Sequence, residues 1–278
     1  KIRFFIGDLR DKERIYRALD GIDIVVHAAA LKQVPIAEYN PFEFIKTNIL
    51  GAQNLIEACL DTKVQNVMAL STDKAVSPIN LYGATKLSSD KLFIAANNII
   101  GNRNIKFSVA RYGNVMASRG SVIPLFVEKK KTGFLPITDI KMTRFNISLS
   151  QAVDFVVWTL QNNLGGEIFV PKSPSYRILD LAKSIAPECK IKITGMRPGE
   201  KIEEELISKA ESDRTIDLGK CYVVVGVSIA NGKTEDYYLR KNFKKKVKKD
   251  FVYSSSENKK FLTVKELQSI IKKELSKS

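Results

Sequence analysis

The chain has 278 residues, a mass of 31.2 kDa and a formal net charge of +15, enough to bury a full core as one large domain or two smaller ones. No apolar run approaches the roughly 20 residues that span a bilayer and no secretory signal opens the chain, so no membrane role is expected. Three cysteines without Cys-x-x-Cys spacing fit a reducing cytoplasm and no metal site, and a single histidine, His27, argues against a multi-histidine metal centre and a Ser-His-Asp hydrolase.

Strand and helix alternate from the start. Arg3 to Gly7 reads as a short strand ending in Asp8, Asp11 to Leu19 as a helix, and Ile22 to Val26 as a strand ending at His27-Ala28-Ala29-Ala30. Pro41 suits the first turn of a helix running to about Leu60. Val64 to Leu70 is the next strand, Leu81 to about Ile99 a long helix, and Ile105 to Ala110 another strand. Such alternation means right-handed crossovers and a Rossmann-like, doubly wound parallel sheet. A dinucleotide fold opens on a Gly-rich turn, yet the 15 glycines include no Gly-x-Gly. The first βαβ segment is therefore expected to lie outside this sequence.

Beyond Arg119 the pattern loosens into a smaller α/β lobe. Helices are expected at Val122 to Lys131, Ser150 to Gln161 and Leu179 to Ala186, with strands at Leu135 to Thr138, Gly166 to Val170 and Lys190 to Thr194. Met196-Arg197-Pro198-Gly199-Glu200-Lys201 forms a charged turn before an acidic helix, and an amphipathic helix, Val264 to Leu275, closes the chain. The expected organisation is a dinucleotide-binding domain over 1–118 to which later segments return, a substrate lobe over 119–230, and a basic extension over 231–278. The positive charge raises nucleic acid as a partner. The dense run Lys244-Lys245-Lys246 with Lys248 and Lys249 has no interleaved aromatics or recognition-helix pattern. It reads as solvated surface, and the basic balance suits pyrophosphate-bearing ligands instead.

The most informative stretch is Ser71-Thr72-Asp73-Lys74-Ala75, followed by Tyr82-Gly83-Ala84-Thr85-Lys86. The apolar run Val67-Met68-Ala69-Leu70 ends abruptly in small and charged residues, as a buried parallel strand does at the carboxyl edge where ligands bind. Tyr82 and Lys86 stand four apart and share a helix face. That spacing is weak evidence by itself, because Tyr237 and Lys241 repeat it. Only Tyr82 follows a strand, a charged turn and a Pro-containing loop. A phenol, two ammonium groups and a carboxylate thus meet near one strand end, which is equipment for moving protons and a hydride.

These segments resemble the extended short-chain dehydrogenase/reductase superfamily. Within it they resemble the inverting, soluble UDP-N-acetylglucosamine 4,6-dehydratases that begin pseudaminic acid synthesis. The resemblance is carried by Gly7 to Asp11, His27 to Lys32 with Pro35 to Glu38, Ser71 to Ala75, Tyr82 to Lys86, Arg111 to Val115, Ser118 to Val122 and Arg197 to Lys201. Relatives that are epimerases usually carry Ser or Thr where this chain has Asp73-Lys74, and many membrane-anchored relatives carry Met at the position of Tyr82. The resemblance implies NADP as cofactor, UDP-N-acetylglucosamine as substrate, a cytoplasmic homo-oligomer, and no metal.

It further implies that Tyr82, with Lys86, takes the O4 proton, and that Lys74 is the C5 base while Asp73 and Thr72 assist. Desolvation and the neighbouring Lys86 are expected to discharge Lys74, and Lys86 to lower the Tyr82 pKa. Cofactor contacts are expected from Asp8, Leu9, Ala28, Ala29, Ala30, Lys32, Asn48, Ser71, Tyr82, Lys86, Tyr112 and Val115. Substrate contacts are expected from Lys32, Thr72, Asn114, Arg119, Ser121, Val122, Thr138, Arg197 and Glu200. A retaining dehydratase, a 4-epimerase and a non-catalytic dinucleotide sensor stay open as alternatives.

Overall fold

The computed structural model describes residues 2–116, 118, 121–226, 231–240 and 245–276. In chain order, α1 (Lys12–Ala18) is capped by the Asp11 side chain, which accepts from the Arg14 amide, and leads to β1 (Ile24–His27). Next come α2 (Val34–Tyr39), α3 (Pro41–Phe44), a π-helical turn (Ile45–Leu50) and α4 (Gly51–Leu60), the last three continuous. β2 (Asn66–Thr72) ends in a 3-10 turn (Asp73–Ala75) before α5 (Leu81–Ala96). β3 (Lys106–Tyr112), β4 (Asn114–Val115), α6 (Val122–Lys129), β5 (Phe134–Ile137) and β6 (Thr143–Ile147) follow.

The chain continues with α7 (Leu149–Asn162), β7 (Glu167–Pro171), β8 (Ser175–Arg177), α8 (Ile178–Ile185), β9 (Lys190–Ile193) and β10 (Glu205–Ile207). β11 (Thr215–Asp217), β12 (Cys221–Val225), α9 (Asn231–Arg240), β13 (Lys245–Lys246), β14 (Tyr253–Ser254) and α10 (Val264–Leu275) complete it.

The main sheet has the order β1-β2-β3-β7-β12-β11-β13. β1, β2, β3 and β7 run parallel, and β12, β11 and β13 add antiparallel pairings. β2 carries an almost unbroken buried run, Asn66 to Ala69, because helices cover a parallel sheet on both faces. One core joins α1, α4 and α5 to that sheet through Ile15, Leu55, Ile56, Phe93, Phe107 and Val109. The opposite face packs Val156 of α7 against Met68 and Ala110. A second core unites α6, β5, α8 and α10 through Ile123, Phe126, Leu135, Leu181, Leu267 and Ile271. Capping boxes at Ser148/Gln151 and Thr263/Glu266 fix the starts of α7 and α10, each satisfying two helix-end donors.

Two expected elements differ. Residues 3–7 form no strand: Phe4 and Ile6 are at least 90% exposed. The run is apolar enough for a strand, but a strand exists only where a neighbour offers its ladder, and among the described residues β1 pairs with β2 alone. The acidic helix expected after the charged turn is also absent. Glu205 begins β10, paired antiparallel with β14, and only a 3-10 turn, Lys209–Arg214, follows. Local composition favoured a helix; the long-range partner strand decided otherwise.

Candidate active site

The site forms where β2 ends. The Thr72 hydroxyl accepts from the Lys74 amide at 3.3 Å and donates to Asp73 Oδ1 at 2.9 Å, turning the chain through one 3-10 turn. Ser77 sits at φ 43° ahead of Pro78, and Asn80 caps α5 by accepting from the Gly83 amide at 2.8 Å. Gly83 is needed for contact: a Cβ there would lie 2.2 Å from the Lys74 carbonyl oxygen. This close approach brings the first turn of α5, with Tyr82, onto the charged turn.

Asp73 is fully buried and Lys74 partly so. Lys74 Nζ lies 3.1 Å from Asp73 Oδ1 and 3.1 Å from Glu204 Oε1, and Arg144 Nε is 3.8 Å from the same Glu204 oxygen. Burial pulls the Lys74 ammonium pKa down, but Asp73 and Glu204 outweigh it and the net direction is up. The expectation that desolvation and Lys86 would discharge Lys74 is therefore not met, because two carboxylates flank the ammonium. Nor does Lys86 set the Tyr82 phenol. Burial pushes that phenol up to about 12, and Lys74 and a hydrogen bond with Thr72 act against the rise. Lys86 is buried and donates to the Leu70 carbonyl at 2.8 Å; desolvation lowers its pKa against the pull of Asp90.

Behind these groups lies a buried polar network. Ser71 Oγ donates to Asp90 Oδ2 at 2.7 Å, Arg111 reaches Asp90 at 3.4 Å, and Arg111 Nη1 donates to both oxygens of Glu211 at 2.9 and 3.2 Å. Ser71, expected at the cofactor, is buried and gives its hydroxyl proton to this network. Asn48 is similarly engaged: it exchanges two 2.9 Å bonds with the Leu31 backbone and donates to Thr85 at 3.0 Å, tying the loop after β1 to α5.

Asp8, Leu9, Ala29 and Ala30 line one cavity of ≈ 420 Å³ together with Gly7, Leu31 and Thr47. Ala28 to Ala30 and Lys32 are exposed at the carboxyl end of β1. Hydrogen bonds from the Arg10 side chain and amide hold the Asp8 carboxyl at about 2. Small residues and an ionised carboxylate around an open cavity at that sheet edge fit the adenosine part of a dinucleotide. Tyr112 ends β3, and Val115 lies in β4 beside Ile147 of β6.

Of the substrate group, Asn114 pairs in register with Asn146, and the buried Asn114 Oδ1, Asn146 Oδ1 and Ser121 Oγ have no hydrogen-bond partner among the described residues. Asp73 Oδ2 and Glu204 Oε2 share that condition. Buried polar atoms left unmade are costly, so those of Asn114, Asn146, Ser121 and Asp73 are suited to a polar ligand. A Cβ on Gly113 would lie 3.5 Å from Asp73 Oδ2 and 2.5 Å from Phe145 Cβ, so Asp73 adjoins the chain at Asn114 and Asn146. Val122 begins α6, whereas Thr138 donates to Met142 Sδ at 3.0 Å.

Arg197 and Glu200 pair with each other at 2.5 Å in an exposed turn, and Arg119 lies outside the described residues. The turn still reaches the site through its backbone. Asn80 donates to the Gly199 carbonyl at 2.8 Å and Lys201 to the Val76 carbonyl at 2.7 Å. Glu204, Arg144 and Asn146 were not singled out from the sequence. The one signal for Glu204 is its position three residues beyond Lys201, within an acidic run that a solvated helix would also explain.

The chain belongs to the polysaccharide biosynthesis protein family, which matches residues 1–226. Within it, the chain is 52% identical to the UDP-N-acetylglucosamine 4,6-dehydratase (inverting) of Campylobacter jejuni subsp. jejuni, over 97% of this chain and 82% of that protein. It is also 47% identical to the UDP-glucose 4-epimerase of Rickettsia akari, over 80% of this chain and 67% of the relative. The X-ray structure of Pen from Bacillus thuringiensis superposes with a TM-score of 0.87 at 36% identity, covering 99% of this chain and 82% of that one.

Proposed function

We propose that the chain is a hydro-lyase that removes water across C5 and C6 of UDP-N-acetylglucosamine after oxidation at C4, with NADP as cofactor, and that it inverts C5 to give the L-arabino 4-keto sugar, the first step of pseudaminic acid synthesis. The observation that carries this reading is the convergence of Tyr82 with the ion-paired Asp73 and Lys74 at the carboxyl end of β2. Its 52% identity to a dehydratase of that specificity supports it. A bound nicotinamide dinucleotide supplies the acceptor for the C4 hydride and returns it at C6.

Asp8, Leu9 and the small residues Ala28 to Ala30 would hold the dinucleotide at the cavity, with Lys86 and Tyr112 toward its nicotinamide end. Tyr82 takes the O4 proton as C4 is oxidised. The new ketone acidifies the C5 proton, which Lys74 removes, and Asp73 protonates the departing C6 hydroxyl. Asn114, Ser121 and Val122 would hold the UDP-sugar, with Arg197 freed from Glu200 to meet the pyrophosphate. The basic balance of the chain favours the approach of such an anion.

A 4-epimerase is the second reading, favoured by the Rickettsia akari relative. Epimerisation needs a base at O4 but none at C5, and would leave the buried Asp73-Lys74 pair without a task. NMR on UDP-N-acetylglucosamine in deuterium oxide separates the readings. Dehydration with inversion yields an early L-arabino 4-keto-6-deoxy sugar with deuterium at C5. A D-xylo first product would move the assignment to a retaining dehydratase, and a C4 epimer with no loss of water would overturn it. Tyr82→Phe should abolish C4 oxidation, whereas Lys74→Met should allow oxidation yet lose about 10²-fold or more in C5 deuterium exchange.

A further inference from the structure

Resting on that reading, the arrangement around Lys74 raises a question about the C5 base. A lysine removes a proton only as a neutral amine, and here the ammonium is held between Asp73 Oδ1 and Glu204 Oε1, each at 3.1 Å. Glu204 is 2% exposed. Its amide is fixed by Ser255 Oγ at 2.9 Å, and the preceding backbone is clamped by Arg144, which donates to the Lys201 and Ile202 carbonyls at 2.9 and 3.0 Å. Its Oε2 is buried and has no hydrogen-bond partner among the described residues. Lys74 and Arg144 balance Asp73 and Glu204, so the cluster is neutral, and a proton moving from Lys74 to a carboxylate inside it leaves that net charge unchanged. Such a shift avoids the large cost of burying uncompensated charge.

We propose that Glu204 acts through Lys74 as the holder of its proton, making the buried Asp73–Lys74–Glu204 cluster the proton store for the dehydration. The step balances. The Lys74 ammonium passes a proton to the Glu204 carboxylate, leaving a neutral amine and a carboxylic acid. The amine takes the C5 proton and becomes ammonium again, and the C5 electron pair forms the C5–C6 double bond as the C6–O bond breaks. The proton held on Glu204 leaves the cluster by way of Asp73, which gives it to the departing oxygen. Water is released and both carboxylates end ionised beside the same ammonium. Asp73, beside the chain at Gly113 and Asn114, and Glu204, held by Ser255, thus have different tasks.

The test uses Glu204→Gln and Glu204→Asp in the full chain with bound dinucleotide. Gln keeps the size and an acceptor oxygen for Lys74 but cannot take the proton; Asp can take it from one methylene further away. The two readouts on UDP-N-acetylglucosamine are absorbance of the reduced nicotinamide, reporting C4 oxidation, and deuterium incorporation at C5. Glu204→Gln should oxidise C4 within about twofold of the parent while C5 exchange and water loss fall by about 10²-fold, and Glu204→Asp should recover about a tenth or more of the loss. Undiminished C5 exchange in Glu204→Gln overturns the proposal, as does equal loss of oxidation and exchange, which is what a merely structural role gives. A parent chain that interconverts C4 epimers without losing water would sink the underlying dehydratase reading instead.

Discussion

His27 shows how one side chain couples burial to pH. It ends β1, is almost fully buried and tilts against Phe93 at 5.3 Å between ring centroids. Desolvation first, and then the positive charge of Lys86, hold its imidazole at about 3, far below the ordinary 6.5. Between those values the unfolded chain binds a proton that the folded chain refuses, so folding is favoured above pH 6.5 and loses stability as pH falls toward 3. Urea unfolding should show the parent losing about 2 kcal/mol between pH 7 and pH 5 through this group. His27→Gln, although less stable at neutral pH, should lack that component of the slope. Parallel pH slopes in the two proteins would contradict it.

At the scale of elements, the junction of β2, the Asp73–Ala75 turn and α5 decides whether the site exists. α5 starts against the backbone of the turn because Gly83 has no side chain, and Pro78 stands on its other side at 3.0 Å from the missing Cβ. Backbone cannot yield as a flexible side chain can. Gly83→Ala should therefore tilt or shift the first turn of α5 and move Tyr82 away from Lys74, although alanine is the better helix former by about 1 kcal/mol. The expected outcome is a lower melting temperature with C4 oxidation reduced by about 10²-fold, since a misplacement near 1 Å is enough for such a loss. A Gly83→Ala protein more stable than the parent and fully active would show that the turn accommodates the methyl group.

For the whole molecule, stability should be graded along the main sheet. β2 and β3 are covered on both faces and joined in parallel register over seven residues, while β1 leaves Ile24 54% and Val26 46% exposed at the sheet edge. At the other edge, β13 is a two-residue strand with both residues exposed. Amide hydrogen exchange should be slowest at Val67, Met68, Phe107, Val109 and Phe169, with openings that approach global unfolding. Exchange at β13 and in the β5–β9 pair should be faster by about 10²-fold or more. Uniform protection across the sheet would refute the gradient. The same layout ties the substrate-side elements to the catalytic turn, because the 197–205 segment is anchored by Asn80 and Lys201 rather than by its exposed Arg197–Glu200 pair.

The sequence by itself determined α1, β1, the helix from Pro41 to Leu60, α5 and β3, the strand–turn–helix that carries Asp73, Lys74, Tyr82 and Lys86, and the family. Those signals are local: apolar periodicity, capping residues and short motifs act over a few positions. Only the tertiary structure decided that residues 3–7 form no strand, that β12, β11 and β13 close the sheet antiparallel, and that α10 packs on α8 in one core with α6. It alone placed Glu204 on Lys74 and Arg144 on Glu204, from 130 and 70 positions beyond Lys74 in the chain. The protonation of Lys74 and Tyr82 was beyond sequence reasoning for the same reason. A pKa depends on which charges and how much water surround a group, and that surrounding is assembled from segments that are neighbours only in the fold.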